Sequence, residues 1–265
     1  MKYSTVYLSK INIFPLILLL LSALSITIPA QAQYFGQSKM RYKKLDFKVY
    51  ETPHFKLHYY LENDSMVRWF AKESEVWYEL HQQVFQDTFL KKNPIILYNN
   101  SPEFQQTTTI QGEIGVGTGG VTEAFKTRVV MPIAQINHQT RHVLGHELVH
   151  AFQYRILIEG GDSTRLESIG NIPLWMVEGM AEYFSIGKKD AFTAMWMRDA
   201  YLNNDLPSLK DMTDNMNRYF PYRFGQAFWS YIGSTYGDTV IMPLFKSTAM
   251  YGYEYAIRRV FGYDA

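Results

Sequence analysis

The pattern of apolar and polar positions divides the chain into a strand-containing first part and a helical second part. Apolar and polar residues alternate over Val49–Leu61, which predicts a strand. Helical spacing from Met66 to Phe89, after an N-cap signal at Asn63, predicts a helix. The same reasoning predicts strands over 95–98 and 121–131 and helices over 139–158, 173–186, 189–202, 222–236, 238–249 and 253–261. We therefore expect an α+β fold, with a mixed sheet in a β-containing lobe (33–135) and a mostly helical lobe (136–265).

The first 32 residues have the layout of a secretory signal peptide. Lys2 and Lys10 are the only charges, an apolar run covers Ile11–Ile28, and Pro29–Ala32 provides a small-residue cleavage site before Gln33. We expect an exported protein, periplasmic or extracellular, with no membrane span in the mature chain. An uncleaved anchor is the alternative, because eighteen apolar-rich residues nearly span a bilayer.

Composition excludes several classes of protein. The 265 residues are 47% hydrophobic and 19% charged with a formal net charge of +1, which excludes a disordered chain and a coiled coil. The balanced charge gives no reason to expect a nucleic-acid partner. The chain has no cysteine, so its stability depends on packing, with help from any bound metal.

The strongest chemical signal is His146-Glu147-Leu148-Val149-His150 within a predicted helix. Histidines four residues apart lie on one helix face, so both imidazoles can reach one metal ion. Glu147 lies beside them and could accept a proton from a metal-bound water. Zinc suits imidazole ligands and lowers the pKa of such a water. The alternative is an ordinary amphipathic helix with two polar histidines.

A catalytic zinc needs a third protein ligand. The longer motif with a third histidine is absent, because Gln153 and Ile156 occupy its glycine and histidine positions. We therefore expect a carboxylate from the predicted helix that Pro173 opens, where Glu178 and Glu182 share one face. Trp175 is predicted on this acidic face. The predicted core stripe consists of Leu174, Val177, Ala181 and Phe184.

The sequence HELVH, followed by Trp-x-x-Glu-Gly-x-Ala-Glu-Tyr, resembles the gluzincin metallopeptidases, the HExxH-plus-Glu class that includes thermolysin and related aminopeptidases. The resemblance implies a zincin-like fold that hydrolyses peptide or protein substrates. It makes His146, His150 and Glu178 ligands of one Zn²⁺ ion and Glu147 the general base. Glu182 would then orient the first zinc histidine. Exchanged roles for Glu178 and Glu182 stay open on helix geometry.

Two weaker elements also resemble gluzincins. Tyr222-x-x-Gly resembles the element that carries the transition-state tyrosine, which makes Tyr222 a candidate oxyanion donor, with Tyr219 as a nearby substitute. Gly120-x-x-Glu123 precedes a strand placed to run along the cleft as a sheet edge. Gly120 would allow close backbone approach, and Glu123 would bind a free substrate amine. A solvated edge charge is the other interpretation of Glu123.

The wider sequence resembles exported bacterial proteins in which a gluzincin-type domain precedes a TolB-type β-propeller. The segments that carry this resemblance are Tyr34–Gln37, Tyr42–His58 and Thr127–Pro132. We therefore expect 33–265 to be one metallopeptidase domain, the front part of a longer protein, associated with a propeller or an envelope partner. A truncated product and a stand-alone relative stay open.

Two other functional classes remain at this stage. A non-catalytic binding or scaffold domain could retain a zinc site, although structural sites usually have four protein ligands. Two histidines and one carboxylate also describe a non-haem iron site.

Overall fold

A computed structural model describes residues 41–126, 128–158 and 169–262. The predicted signal peptide (1–32) and the Tyr34–Gln37 segment lie outside the described residues. Among the helices that the structure describes, none is both long and apolar enough to cross a membrane.

The first half contains a five-stranded mixed sheet in the order β1-β2-β3-β5-β4. Its strands are β1 (Lys48–Glu51), β2 (Phe55–Tyr59), β3 (Asn93–Tyr98), β4 (Val121–Thr122) and β5 (Val129–Pro132). The central strands β2, β3 and β5 are parallel, and β1 and β4 pair antiparallel at the two edges. The predicted α+β class with a mixed sheet is confirmed.

Two predictions of one long strand are wrong, because each segment folds as a hairpin. Val49–Leu61 is interrupted at Pro53, which cannot donate a ladder hydrogen bond. Thr52 closes this turn, since its hydroxyl accepts from the Phe55 amide at 3.0 Å. The second segment turns between β4 and β5, where the Glu123 amide donates to the Arg128 carbonyl at 2.9 Å. This second turn makes β4 the edge of the sheet.

The helices follow the predicted positions closely in the second half. They are α1 (Asp64–Phe85), α2 (Ser101–Gln105), α3 (Asn137–Ile158), α4 (Leu174–Ile186), α5 (Ala191–Leu202), α6 (Leu209–Asp214), α7 (Pro221–Thr235), α8 (Ile241–Tyr251) and α9 (Tyr253–Phe261). Asn63 caps α1 as predicted, but the helix ends four residues early, where Gln86 adopts a left-handed conformation. The short helices α2 and α6 were not predicted.

Helix α4 is buried on more sides than its sequence pattern predicted. It packs against α3 on one side and α7 on another. Trp175, predicted on the acidic face, is 0% exposed, and its indole nitrogen donates to the Thr213 hydroxyl at 3.0 Å. Leu174, predicted in the core stripe, is 43% exposed. The predicted faces of Leu174 and Trp175 are wrong because the prediction assumed that α4 packs against a single neighbour, whereas it packs against both α3 and α7.

Helices α4 and α7 touch through their backbones at two glycines. A Cβ added to Gly225 would lie 1.9 Å from the Trp175 carbonyl oxygen, and one added to Gly179 would lie 2.2 Å from the Gly225 carbonyl carbon. Only residues without a side chain allow this approach. The contact fixes the acidic residues of α4 relative to the start of α7.

Acid should destabilise the fold through His81, which lies in the core between α1 and α3. Its Nε2 donates to the Gly145 carbonyl at 2.9 Å, and burial lowers its pKa to about 4. The native state therefore excludes a proton that the unfolded state binds below pH ~6.5, so stability falls as the pH drops from about 6.5 to 4.

We expect the free energy of unfolding to fall by up to about 3 kcal/mol over this pH range, as measured by urea unfolding of the metal-free protein. His81→Gln should flatten this dependence; an unchanged slope would contradict the assignment.

Candidate metal centre

Three potential ligand atoms converge between α3 and α4. His146 Nε2 and His150 Nε2 lie 3.1 Å apart, and Glu178 Oε2 lies 3.1 Å from the first and 3.3 Å from the second. The two histidines come from one face of α3 because they are four positions apart. All three side chains are largely buried. The arrangement brings together the three residues that the resemblance implied as metal ligands.

The Nδ1 atoms of both imidazoles, which face away from the convergence point, lie within hydrogen-bond distance of side-chain oxygens. His146 Nδ1 lies 3.0 Å from Glu182 Oε1, and His150 Nδ1 lies 2.8 Å from Gln153 Oε1. Gln153 is oriented in turn, because its amide nitrogen donates to the Val177 carbonyl at 3.1 Å. Because the acceptors occupy both Nδ1 atoms, Nε2 is the nitrogen that each ring can offer to a metal ion in the centre.

Sequence reasoning had assigned Gln153 no role beyond excluding the longer motif. Gln153 lies three positions after His150, and side chains three positions apart share a helix face. This spacing could have predicted its contact with His150. Gln153 is 1% exposed and bridges α3 and α4 through its two hydrogen bonds.

Gln153→Met should weaken metal binding about 10- to 100-fold, because His150 loses the acceptor that orients its ring. The measurement is competition against a chromophoric chelator, with thermal unfolding of the metal-free protein recorded in parallel. Gln83→Met, at an exposed position of α1, is the matched control. Unchanged metal affinity in Gln153→Met would contradict the positioning role.

Glu182 connects the centre to a wider charge network. Besides His146, it contacts His142 Nε2 at 3.1 Å and Arg223 at 3.2 Å. Arg223 also reaches Asp190 at 3.3 Å. Burial raises the pKa of Glu182, but hydrogen bonds from the two histidines outweigh it and lower the pKa to about 2. Arg223 was not predicted, because its contact with Glu182 depends on how α7 crosses α4.

The electrostatics of the centre favour a cation. Burial lowers the pKa of His146, yet hydrogen bonds to Glu178 and Glu182 and the charge of Glu147 outweigh it and raise the pKa to about 10. Three buried or nearly buried carboxylates thus surround His146, and such charges need compensation. Two imidazoles and one carboxylate form a donor set that fits zinc or iron.

Glu147 is held beside the ligands by the edge of the sheet. The Thr122 hydroxyl, on β4, contacts Glu147 Oε2 at 2.7 Å and the Glu147 carbonyl at 2.9 Å. A Cβ added to Gly120 would lie 2.9 Å from Glu147 Oε1, so Gly120 provides room for this carboxylate. The close approach at Gly120 therefore involves the glutamate of the motif itself.

Two tyrosines border the centre. The Tyr222 ring stacks on His146 with centroids 5.6 Å apart. Burial and the charge of Glu178 raise the pKa of Tyr222, so the hydroxyl keeps its proton. Tyr154, which sequence reasoning did not select, stacks on His150 at 6.0 Å, and burial raises its pKa to about 12. Tyr219 instead donates to Asp205 at 2.9 Å.

Glu123 lies at the turn after β4 and has cationic partners. Its carboxylate pairs with Arg128 and lies 3.7 Å from Lys126. These contacts favour the interpretation as a paired edge charge over that of an amine-binding group. Within the described part of the chain, Glu123 belongs to no group that could hold a metal ion.

One comparison with known proteins bears on this site. Residues 107–234 match the family BSP, described as peptidase of plants and bacteria. The matched range covers just under half of the chain and contains the whole cluster from Thr122 to Arg223. No curated protein matches the chain. The family match supports a peptidase-like domain that acts on a peptide or protein.

Proposed function

We propose that the chain is a zinc-dependent metallopeptidase of the gluzincin type. The observation that carries the proposal is the convergence of His146, His150 and Glu178 on one point, with the Glu147 carboxylate held beside them. The family match supports peptidase activity in general. The buried carboxylates supply the reason for a divalent cation.

Each residue of the centre has a distinct role in this proposal. Zinc, when bound, would polarise the scissile carbonyl and acidify the attacking water. Glu147 accepts the proton of that water and later delivers it to the leaving amine, while Thr122 holds the carboxylate in place. Glu182 and Gln153 fix the two imidazoles.

The edge strand β4 gives the substrate a place to bind. An extended peptide can add to an open sheet edge by main-chain hydrogen bonds. Thr122 contacts Glu147 from this strand, so a peptide paired with β4 would run past the general base. This geometry suits either an endopeptidase or an aminopeptidase.

Tyr222 is proposed to donate a hydrogen bond to the developing oxyanion. Tyr222→Phe should lower kcat about 10²-fold without reducing zinc content, because it removes a single donor. Tyr219→Phe is made in parallel, and kcat and metal content are measured for both. A larger loss in Tyr219→Phe than in Tyr222→Phe would reverse the assignment.

The test of the proposed function is metal content together with hydrolysis of a mixed peptide library. We expect about one zinc per chain, cleavage that a chelator abolishes, and recovery on adding zinc. The cut positions distinguish an aminopeptidase from an endopeptidase. Stoichiometric zinc without cleavage would favour the scaffold alternative, and activity restored by ferrous iron but not zinc would favour the iron site.

We also propose that the protein acts after export, in the periplasm or outside the cell, beside a β-propeller or another envelope partner. This rests on the sequence of residues 1–32 and on the wider resemblance. A mature N-terminus at Gln33 would support it, and a retained leader in the membrane fraction would favour the anchor.

A further inference from the structure

Helix α5 turns large apolar side chains to solvent within the described part of the fold. Its sequence, AFTAMWMRDAYL, contains two charged residues, and only Thr193 and Ala200 are buried among its 12 residues. Met195 is 47% exposed and Trp196 is 38% exposed. A surface helix normally turns polar side chains to water, and a group of exposed apolar side chains commonly marks a binding surface. This face of α5 therefore favours a ligand with apolar groups.

A row of aromatic rings connects this face of α5 to the metal centre. The Tyr222 ring, which stacks on His146, also stacks on Phe220, with centroids 5.0 Å apart. The Phe220 ring contacts that of Trp196, with centroids 5.8 Å apart. Tyr222 is partly exposed and Phe220 is exposed, so the row borders solvent. An accessible apolar path thus leads from a candidate metal ligand to α5.

The row of rings ends at a pocket between α5 and the segment that leads into α7. The pocket has a volume of about 600 Å³, which is within the range of ligand sites. Its apolar and aromatic lining comes from Met195, Trp196, Tyr219 and Phe224. The Phe224 ring meets those of Trp196 and Tyr219 edge to face, at 6.3 and 5.4 Å. Such walls suit a large apolar side chain, and above all an aromatic one.

The charged groups of the pocket disfavour an anionic ligand. Among the described residues, Arg218 is the only cation in the lining, and it donates to Asp205 at 2.7 Å. Asp199 is a second acid in the lining and accepts from the Asn203 amide at 3.2 Å. Since the one cation is already neutralised, the apolar walls decide what the pocket binds.

We propose that this pocket is a substrate subsite, which binds a large apolar side chain of the peptide a few residues away from the cleaved bond. The inference rests on the proposed function, because the row of rings leads from the metal centre to the pocket. The three steps of the row span 5.0–5.8 Å each. An extended peptide advances about 3.3 Å per residue, so it reaches Trp196 within about five residues.

The experiment is steady-state kinetics of the zinc-loaded protein on variants of one cleaved library peptide. Each of the five positions on either side of the cut carries phenylalanine or serine in turn. At one position beyond the two residues of the cleaved bond, phenylalanine should raise kcat/KM about 10-fold over serine, because its ring leaves water. Trp196→Ala and Met195→Gln should each reduce this ratio at least 3-fold.

Tyr201→Ala is the matched control, because Tyr201 is an exposed aromatic residue of α5 outside the pocket lining. It should leave the phenylalanine-to-serine ratio unchanged. Circular dichroism checks the folding of each variant, and Met195→Gln decides the question if Trp196→Ala unfolds. The absence of any such preference in the wild type, or a preference that persists in a folded pocket variant, would overturn the subsite.

Sedimentation velocity tests whether a second copy of the chain covers this face instead. We expect the wild type and Trp196→Ala to sediment as the same species. A wild-type dimer that dissociates in Trp196→Ala would assign the face to self-association and overturn the subsite.

A binding measurement separates failure of this inference from failure of the proposed function. The probe is acetyl-phenylalanine amide, with acetyl-serine amide as the control, and the readout is the indole NMR signal of Trp196, assigned by its loss in Trp196→Phe. A shift with the phenylalanine amide alone would support the pocket even if the wild type cleaves no peptide, and would then leave only the peptidase proposal refuted. An unshifted Trp196 signal would overturn the pocket in an active enzyme as well.

Discussion

Glu147→Gln should lower kcat/KM for peptide hydrolysis by about 10³-fold while zinc content stays at the wild-type level. Glutamine has the same shape and can keep a hydrogen bond to Thr122, but it cannot accept a proton from water. It ligates nothing in the proposed site, because the converging atoms belong to His146, His150 and Glu178. Activity and metal binding should therefore separate in this variant.

The measurement is single-substrate kinetics on a peptide chosen from the library, with zinc determined on the same preparations. Glu79→Gln is a matched control, because Glu79 is exposed on α1. Turnover by Glu147→Gln within 10-fold of wild type would refute the general-base role. Loss of zinc together with activity would instead show that Glu147 supports metal binding.

Gly225→Ala should destabilise the protein by about 3 kcal/mol or more and lower its melting temperature by roughly 6–12 °C. In an open helix this substitution stabilises by about 1 kcal/mol. Here the added Cβ would lie 1.9 Å from the Trp175 carbonyl oxygen and 2.8 Å from Gly179 Cα, both backbone atoms. The helices must separate, and Glu178 must shift with α4.

Thermal unfolding tests the predicted loss of stability, and metal affinity tests the predicted shift of Glu178. Gly117→Ala serves as the control, because nothing lies within 4 Å of an added Cβ at that position. It should change stability by less than about 0.5 kcal/mol. A Gly225→Ala variant that melts like wild type and binds zinc equally well would show that the two helices can move apart without cost.

The candidate ligand set could be predicted because the sequence information for it is local. His146 and His150 are four positions apart, as are Glu178 and Glu182, so helix geometry alone places each pair on one face. The core helices were also placed well by their apolar spacing. The choice between Glu178 and Glu182 needed the packing of α4 on α3, which brings Glu178 to both Nε2 atoms and Glu182 to the other side of His146.

The parts that could not be predicted depend on contacts between distant segments. Thr122 reaches Glu147 only because the second hairpin turns back at residues 123–128, and Arg223 reaches Glu182 only because α7 crosses α4. The Arg41 guanidinium likewise reaches the Thr108 hydroxyl at 2.6 Å only because two segments 67 positions apart in sequence lie together. No local pattern carries such pairings, because register and crossing are decided by the packed core.

Because the candidate ligands lie on two helices, a bound metal would also act as a cross-link. His150 and Glu178 are separated by 27 residues, so coordination would close this segment into a loop in a chain that has no cysteine. By the chain-entropy estimate for a loop of this length, such a closure restricts the unfolded ensemble by about 3–4 kcal/mol. Unfolding would then have to release the ion, and chelators would speed unfolding as reductants do in disulfide-bonded proteins.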